Sequence, residues 1–96
     1  MTNQVSDYSF TVSPEAAASF HDDGIVILHA GSGRLYSSNE TGARVWRGVE
    51  RQLPLEAIAE EISAEYKITP ATAREDTLRF LAELERHTLV RREVAL

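Results

Sequence analysis

In the first part of the chain, hydrophobic and polar positions alternate with the period of two that is typical of β-strands. Tyr8, Phe10 and Val12 predict one short strand. Residues 16–20 fit either a helical turn or a strand, and we favour the strand because a hairpin signal follows. Residues 1–7 are polar and predict a frayed tail.

Two turn signals divide the next segment. Asp23-Gly24 is typical of a two-residue hairpin, because both central positions of the favoured turn need a positive φ. It leads into the β-branched run 25–28, and a second break at 31–33 precedes residues 34–37. Two successive hairpins predict a three-stranded antiparallel meander.

From residue 39 onward the hydrophobic positions recur with the spacing of helices. The pattern predicts helices over 40–50, 55–66 and 70–87, with Asn39 or Ser38 as the first N-cap. The second helix starts at Pro54, and Thr69-Pro70 starts the third as an N-cap followed by proline at the first helical position. Their apolar stripes predict one core, which contains Trp46, Ile58, Ile62, Phe80, Leu81 and Leu84. The sequence therefore predicts an α+β fold, in which an N-terminal three-stranded antiparallel meander is followed by three helices.

The size of the chain is that of one small domain, which we expect to span residues 1–96. Residues 89–91 predict a short extended segment that returns to the sheet or covers the helices. Nothing in the sequence approaches the roughly 18 apolar residues of a membrane helix, and the N-terminus lacks the layout of a signal peptide. We expect a cytoplasmic protein that does not bind membranes.

The formal net charge of −5 opposes non-specific binding to nucleic acid, because the average field repels phosphate groups. The densest basic group, Arg44, Arg47 and Arg51, shares its helix with acidic residues and fits a solvated face. A winged-helix nucleic-acid binder is the main alternative function. Its recognition helix would be residues 70–87. This segment contains three arginines and four acidic residues, and its charge therefore argues against binding to nucleic acid.

Residues with catalytic or metal-binding chemistry are few. The chain has no cysteine, which excludes disulfides, thiolate nucleophiles and cysteine-bound metals. His21, His29 and His87 lack the spacing that places two histidines on one helix face, although a hairpin could bring His21 and His29 together. We therefore expect no enzymatic activity, no cofactor and no metal.

Leu35 and Tyr36 lie on the last predicted strand before the helices. An outer strand of a meander has an edge with unpaired N–H and C=O groups. Such an edge is either left in water or serves to dock an extended peptide.

Several segments in a fixed order resemble the PqqD family, which includes small proteins of lasso-peptide clusters. They are residues 22–28 (DDGIVIL), 32–36 (SGRLY), 39–46 (NETGARVW), 76–84 (DTLRFLAEL) and the closing Leu89-Val90. The resemblance runs from about Ala17 to Arg91 and implies a winged-helix-like domain that recognises precursor peptides.

The resemblance also implies a function without catalysis. Such a domain captures the leader segment of a ribosomally made peptide as an extra strand and presents it to a modifying enzyme, such as a radical SAM protein or a leader peptidase. The implied peptide-binding residues are Arg34, Leu35, Tyr36 and Ser37 on the third strand of the meander, with Asp76, Thr77 and Phe80 on the exposed flank of the third helix. A structural subunit that docks to an enzyme without binding peptide remains a third hypothesis.

This chain departs from the family pattern at two places. Ser38 stands where the family usually has leucine, so the end of the edge strand is expected to pack differently. His87-Thr88 stand where a glycine usually ends the third helix, which leaves the left-handed cap position to a less suitable residue.

Overall fold

The computed structural model describes residues 8–94 and confirms the predicted α+β fold. In chain order the elements are β1 (Tyr8–Val12), β2 (Ala16–His21), β3 (Gly24–His29), β4 (Arg34–Ser38), α1 (Glu40–Glu50), α2 (Leu55–Tyr66), α3 (Pro70–Arg86) and β5 (Val90–Val94). The first two helices have the predicted bounds, and the third ends one residue earlier. The tail predicted over 1–7 lies outside the described residues.

The strands β2, β3 and β4 form the predicted antiparallel meander, in that order. Ile25 and Ile27 of β3 are buried on the face that packs against α1, whereas Leu28 and Leu35 lie on the opposite, exposed face. One turn differs from the prediction by a residue. The central positions are Asp22 and Asp23, because His21 pairs with Gly24 across the hairpin. Neither aspartate has a positive φ, so the proposed type of turn was wrong.

Gly24 is required by the close approach of β4. Its φ is +154°, and a Cβ at this position would overlap the carbonyl oxygen of Ser38. Gly33 has a φ of +73°, but a Cβ added there would have no atom within 4 Å. A side chain at this position would therefore cause backbone strain but no steric overlap.

We expect Gly24→Ala to lower the free energy of unfolding by about 3 kcal/mol, because β4 must move to relieve the overlap. Gly33→Ala should cost only about 1–2 kcal/mol, the strain of a left-handed non-glycine residue. Urea unfolding of both variants measures the difference. Equal costs would show that Ser38 does not limit the space at Gly24.

The strands β1 and β5 pair with each other in a separate antiparallel sheet. Ser13 extends this pairing, because its N–H donates to the carbonyl of Leu89 at 2.9 Å. The predicted extended segment after α3 therefore exists, but it neither returns to the meander nor simply covers the helices. Phe10 and Val90 are buried and attach the second sheet to the core.

The helix ends follow their capping residues. Asn39 is the first N-cap, and its Oδ1 accepts the N–H of Gly42 at 3.0 Å. Thr69 caps α3 through its Oγ1, which accepts the N–H of Thr72 at 3.2 Å, and Pro70 follows as predicted. Pro54 occupies the cap position of α2 without a side-chain hydrogen bond.

The core lies between the meander and the three helices. Five of the six predicted core residues are buried, namely Trp46, Ile58, Ile62, Leu81 and Leu84. The prediction that Phe80 lies in the core is wrong, because this residue is only half-buried and packs against the edge of the core. It lies on the flank of α3 where a groove opens towards β4.

Candidate functional site

A groove runs between β4 and α3. It consists of two adjoining cavities of about 400 Å³ and about 250 Å³, which share Ser38, Phe80 and Glu83 in their linings. The larger cavity continues to the start of α1, and the smaller one continues to Tyr36 and His87. We call the combined feature the β4–α3 groove.

One side of this groove is a strand edge with free backbone groups. β4 pairs with β3 on one side, and within residues 8–94 nothing pairs with its other side. Gly33 N–H donates to the carbonyl of His29, and Ala30 N–H donates to the carbonyl of Glu15. These two hydrogen bonds fix the directions in which the backbone N–H and C=O groups of alternate β3 residues point.

The alternation of an antiparallel ladder carries this pattern into β4. Tyr36 pairs with Ile27, an odd-numbered residue of β3 that directs its backbone towards β4, so the N–H of Tyr36 points inward. Leu35 and Ser37 therefore direct their N–H and C=O groups to the open edge.

The side chains of β4 alternate between two faces. Tyr36 and Ser38 are half-buried on the groove side. Arg34 and Ser37 are exposed, and Leu35 is 68% exposed on the outer face of the sheet. Of the four strand residues implied by the resemblance, only Tyr36 lines the groove with a half-buried side chain.

The helix side of the groove is built by one face of α3. Phe80 lines both cavities, and Asp76 lines the larger one. Arg79 donates to Asp76 Oδ1 at 3.2 Å, so the carboxylate is already paired in the free protein.

Thr77 does not lie on the exposed flank as expected, because only 1% of it is exposed. Its hydroxyl donates to the carbonyl of Ala73 at 2.7 Å, which satisfies the buried oxygen within the helix. Thr77 therefore lines the groove from beneath, and its contact with a peptide remains a prediction.

The sequence reasoning missed Glu83 and His87. Both line the groove, and the His87 ring lies 4.7 Å from the Tyr36 ring between centroids. A signal was present, because Asp76, Phe80, Glu83 and His87 follow one another at intervals of four, three and four residues. That spacing places all four on one side of α3.

Because Phe80 is half-buried, its truncation should cost less than the 3–5 kcal/mol that a fully buried aromatic side chain implies. We expect Phe80→Ala to lower the free energy of unfolding by about 1.5 kcal/mol. Leu81→Ala is the matched control, since this neighbour is fully buried and its truncation should cost about 2–5 kcal/mol. A Phe80→Ala cost in urea unfolding that equals or exceeds that of Leu81→Ala would contradict this placement.

The histidines are not arranged around a common point. His21 pairs with Gly24 at one end of the β2–β3 hairpin, whereas His29 pairs with Ala16 at the other end, so the hairpin does not bring His21 and His29 together. His21 Nε2 instead contacts the hydroxyl of Ser19 at 2.9 Å. Over residues 8–94 the structure contains no group of three or more His, Cys, Asp or Glu residues that could hold a metal ion.

Within the same range, no helix has the length and apolar character needed to cross a membrane.

Two solved structures and one family model resemble this chain. One solved structure, "TbiB1 in Complex with the TbiA(beta) Leader Peptide", is 29% identical, has a TM-score of 0.78, and is matched over 83% of this chain and 93% of that chain. A second, "Lasso peptide synthetase B1 complexed with the leader peptide", shares the fold at 22% identity and a TM-score of 0.78, with 85% and 96% covered. No curated protein shows a significant sequence match. The family model of PqqD, coenzyme PQQ synthesis protein D, matches residues 24–90, a region that contains β3, β4 and all three helices. Since this match spans well over half of the sequence, the chain belongs to the PqqD family.

Proposed function

We propose that this protein is a non-catalytic adaptor that captures the leader segment of a ribosomally made precursor peptide. The leader adds as a strand beside β4, lies against α3, and is thereby presented to a modifying enzyme. The observation that carries the proposal is the open edge of β4, where the backbone groups of Leu35 and Ser37 point outward alongside the β4–α3 groove. The leader peptides named for the two similar structures support the same function.

Strand addition suits the geometry of this groove. An added strand lies about 4.8 Å from its neighbour, and its side chains alternate between the two faces of the sheet. Every second leader side chain therefore points between β4 and α3, where Tyr36, Phe80 and Leu84 offer an apolar lining. Main-chain hydrogen bonds supply affinity, and the two cavities supply selectivity for the inward side chains.

The expected affinity follows from a few contributions. Leu35 and Ser37 each offer one N–H and one C=O, and each hydrogen bond contributes roughly 0.5–1.5 kcal/mol net. Two buried apolar leader side chains add about 1.5–3 kcal/mol each. After the cost of ordering a disordered leader, these contributions correspond to roughly micromolar binding.

The charges along α3 favour a leader with some basic character. Asp76 and Glu83 both line the groove, and the chain as a whole carries a formal net charge of −5. Arg79 partly offsets Asp76, and Arg86 contacts Glu83 from the same helix. A lysine or arginine of the leader would join ion pairs that already exist at the rim.

The proposed partner is the enzyme that acts on the precursor, such as a radical SAM protein or a leader peptidase. The groove itself contains paired carboxylates and apolar side chains, without a nucleophile that is hydrogen-bonded to a base. In this proposal the partner carries out the chemistry on the precursor, and the adaptor raises the local concentration of the leader beside it.

The nucleic-acid alternative has little support from α3. Its arginines contact carboxylates, because Arg74 pairs with Glu56 at 2.7 Å, Arg79 pairs with Asp76 and Arg86 pairs with Glu83. A helix whose cations are engaged in this way lacks the basic face that phosphate contacts require.

The test is a titration of the protein into a fluorescein-labelled synthetic leader peptide. Its sequence is taken from a short precursor reading frame to be sought beside the gene for this chain, and it is called the cognate leader below. We expect an anisotropy rise with a Kd of roughly micromolar order. A scrambled leader and a duplex DNA at low salt serve as controls and should give flat curves. Binding of DNA but not of the leader would support the winged-helix alternative, and no binding of the leader would favour the structural subunit.

A further inference from the structure

Beyond the groove, His29 connects two turns that flank one end of it. Its Nδ1 lies 3.1 Å from the backbone nitrogen of Ser32, in the turn between β3 and β4. Its Nε2 lies 3.2 Å from the hydroxyl of Thr88, in the turn between α3 and β5. We call these contacts the His29 clasp.

The hydrogen bonds of the clasp assign the tautomer of the ring. A backbone N–H can only donate, so Nδ1 of His29 accepts from Ser32 and carries no proton. The neutral ring then holds its proton on Nε2 and donates it to Thr88 Oγ1. That hydroxyl in turn donates to the carbonyl of His87 at 2.6 Å. The result is a directed chain of bonds from the β3–β4 turn to the end of α3.

Thr88 has the left-handed backbone that also follows α1 at Gln52 and α2 at Lys67. Thr88 has a φ of +58°, a conformation that favours glycine and is unusual for a β-branched residue. Glycine would fit the backbone better but would remove the hydroxyl that binds His29.

The clasp acts on the groove through His87. The His87 ring packs against the Tyr36 ring in a tilted arrangement, and both residues line the smaller cavity. The carbonyl of His87 accepts the last of these hydrogen bonds. The clasp therefore connects the C-terminal end of α3 to the hairpin that carries β4.

We infer that His29 is a positioning residue for leader capture, which sets the spacing of β4 and α3 at this end of the groove only while its ring is neutral. The inference rests on the proposed function. Protonation of Nδ1 removes the acceptor of Ser32 N–H and places two donors against each other, so the clasp opens as the pH falls.

The charged and titratable groups around the ring come from three neighbouring segments. Glu15, in the turn before β2, and the His29 ring both lie beside Gly31. Arg34 is the β4 residue that pairs with His29. His87 follows α3 and immediately precedes Thr88, whose hydroxyl contacts the His29 ring.

The first test uses the free protein. A long-range ¹H–¹⁵N spectrum at pH 7.5 should show the proton of His29 on Nε2. A proton on Nδ1 would overturn the clasp.

The second test compares affinities for the cognate leader at pH 7.5 and pH 5.5. The parent should bind about 3- to 10-fold more weakly at the lower pH, the loss expected from one hydrogen bond. His29→Asn, which cannot titrate, should bind equally at both pH values, and His87→Phe should keep the decrease. A decrease that persists in His29→Asn or disappears in His87→Phe would assign the effect to another group and overturn the inference.

The third test distinguishes the effect of the Thr88 hydroxyl on leader binding from the effect of the side chain's shape. Thr88→Val keeps the branched side chain and should weaken leader binding about 3- to 10-fold at pH 7.5. Thr88→Ser restores the hydroxyl and should restore binding, and equal affinities for Val and Ser would contradict the clasp. If the parent binds no leader at either pH, the proposed function fails, while the ring spectrum still decides whether the clasp exists.

Discussion

Ser37→Pro should weaken binding of the cognate leader by about 10- to 100-fold. The N–H of Ser37 points to the open edge of β4, so proline removes one donor and places its ring where the leader strand must approach. The leader carbonyl that loses this partner is buried without a hydrogen bond, at a cost of about 1–3 kcal/mol, and each 1.4 kcal/mol corresponds to tenfold in Kd. Fluorescence anisotropy measures the change.

Two variants control for side-chain and folding effects. Ser37→Ala keeps the backbone N–H and should bind within about twofold of the parent, because the hydroxyl is exposed. Tyr36→Pro should instead destabilise the fold, since the N–H of Tyr36 points towards β3. If Ser37→Pro folds and binds like Ser37→Ala, the leader does not pair with this edge.

Trp46→Ala should lower the free energy of unfolding by about 3–5 kcal/mol, the range for emptying a buried aromatic site. Trp46 is 1% exposed, and its ring nitrogen donates to Glu50 Oε2 at 3.1 Å. Small domains have total stabilities from about 5 kcal/mol upward, so the loss should leave a partly unfolded protein at 37 °C. Thermal unfolding should show a Tm lower by about 15 °C or more.

Leu35→Ala is the control for the loss of a large hydrophobic side chain. Leu35 is 68% exposed, so its truncation should change the free energy of unfolding by less than about 0.5 kcal/mol. A Trp46→Ala variant that is as stable as Leu35→Ala would contradict the placement of Trp46 at the centre of the core.

The helices could be predicted from the sequence because residues typical of helix starts stand at their N-terminal ends. Asn39 and Thr69 cap their helices through their own side chains, and Pro70 fits only the first turn. The first hairpin was predicted one residue off, because an Asp-Gly pair indicates a turn without fixing its register. That register depends on the pairing of His21 with Gly24, which is set by the whole β2–β3 ladder.

Tertiary placement was harder to predict. Helical periodicity identifies an apolar stripe, but it cannot show that Phe80 lies at the border of the stripe where α3 faces an open groove. The pairing of β5 with β1 joins residues at opposite ends of the chain, and no local pattern encodes such a contact.

The candidate site was predicted in part. The edge position of β4 and the presence of Phe80 and Asp76 at the groove followed from the order of the elements and from the resemblance. The inward direction of Tyr36 N–H and the burial of Thr77 did not, because both depend on the register and packing of the folded chain.

Amide hydrogen exchange with and without the cognate leader tests strand addition most directly. In the free protein the N–H of Tyr36 is already paired with β3, whereas those of Leu35 and Ser37 are open to solvent. On addition of the leader, we expect Leu35 and Ser37 to gain protection together, with chemical-shift changes at Phe80 and Glu83. Protection gained on α1 around Arg44 and Arg47, while Leu35 and Ser37 continue to exchange freely, would contradict capture of the leader at the edge of β4.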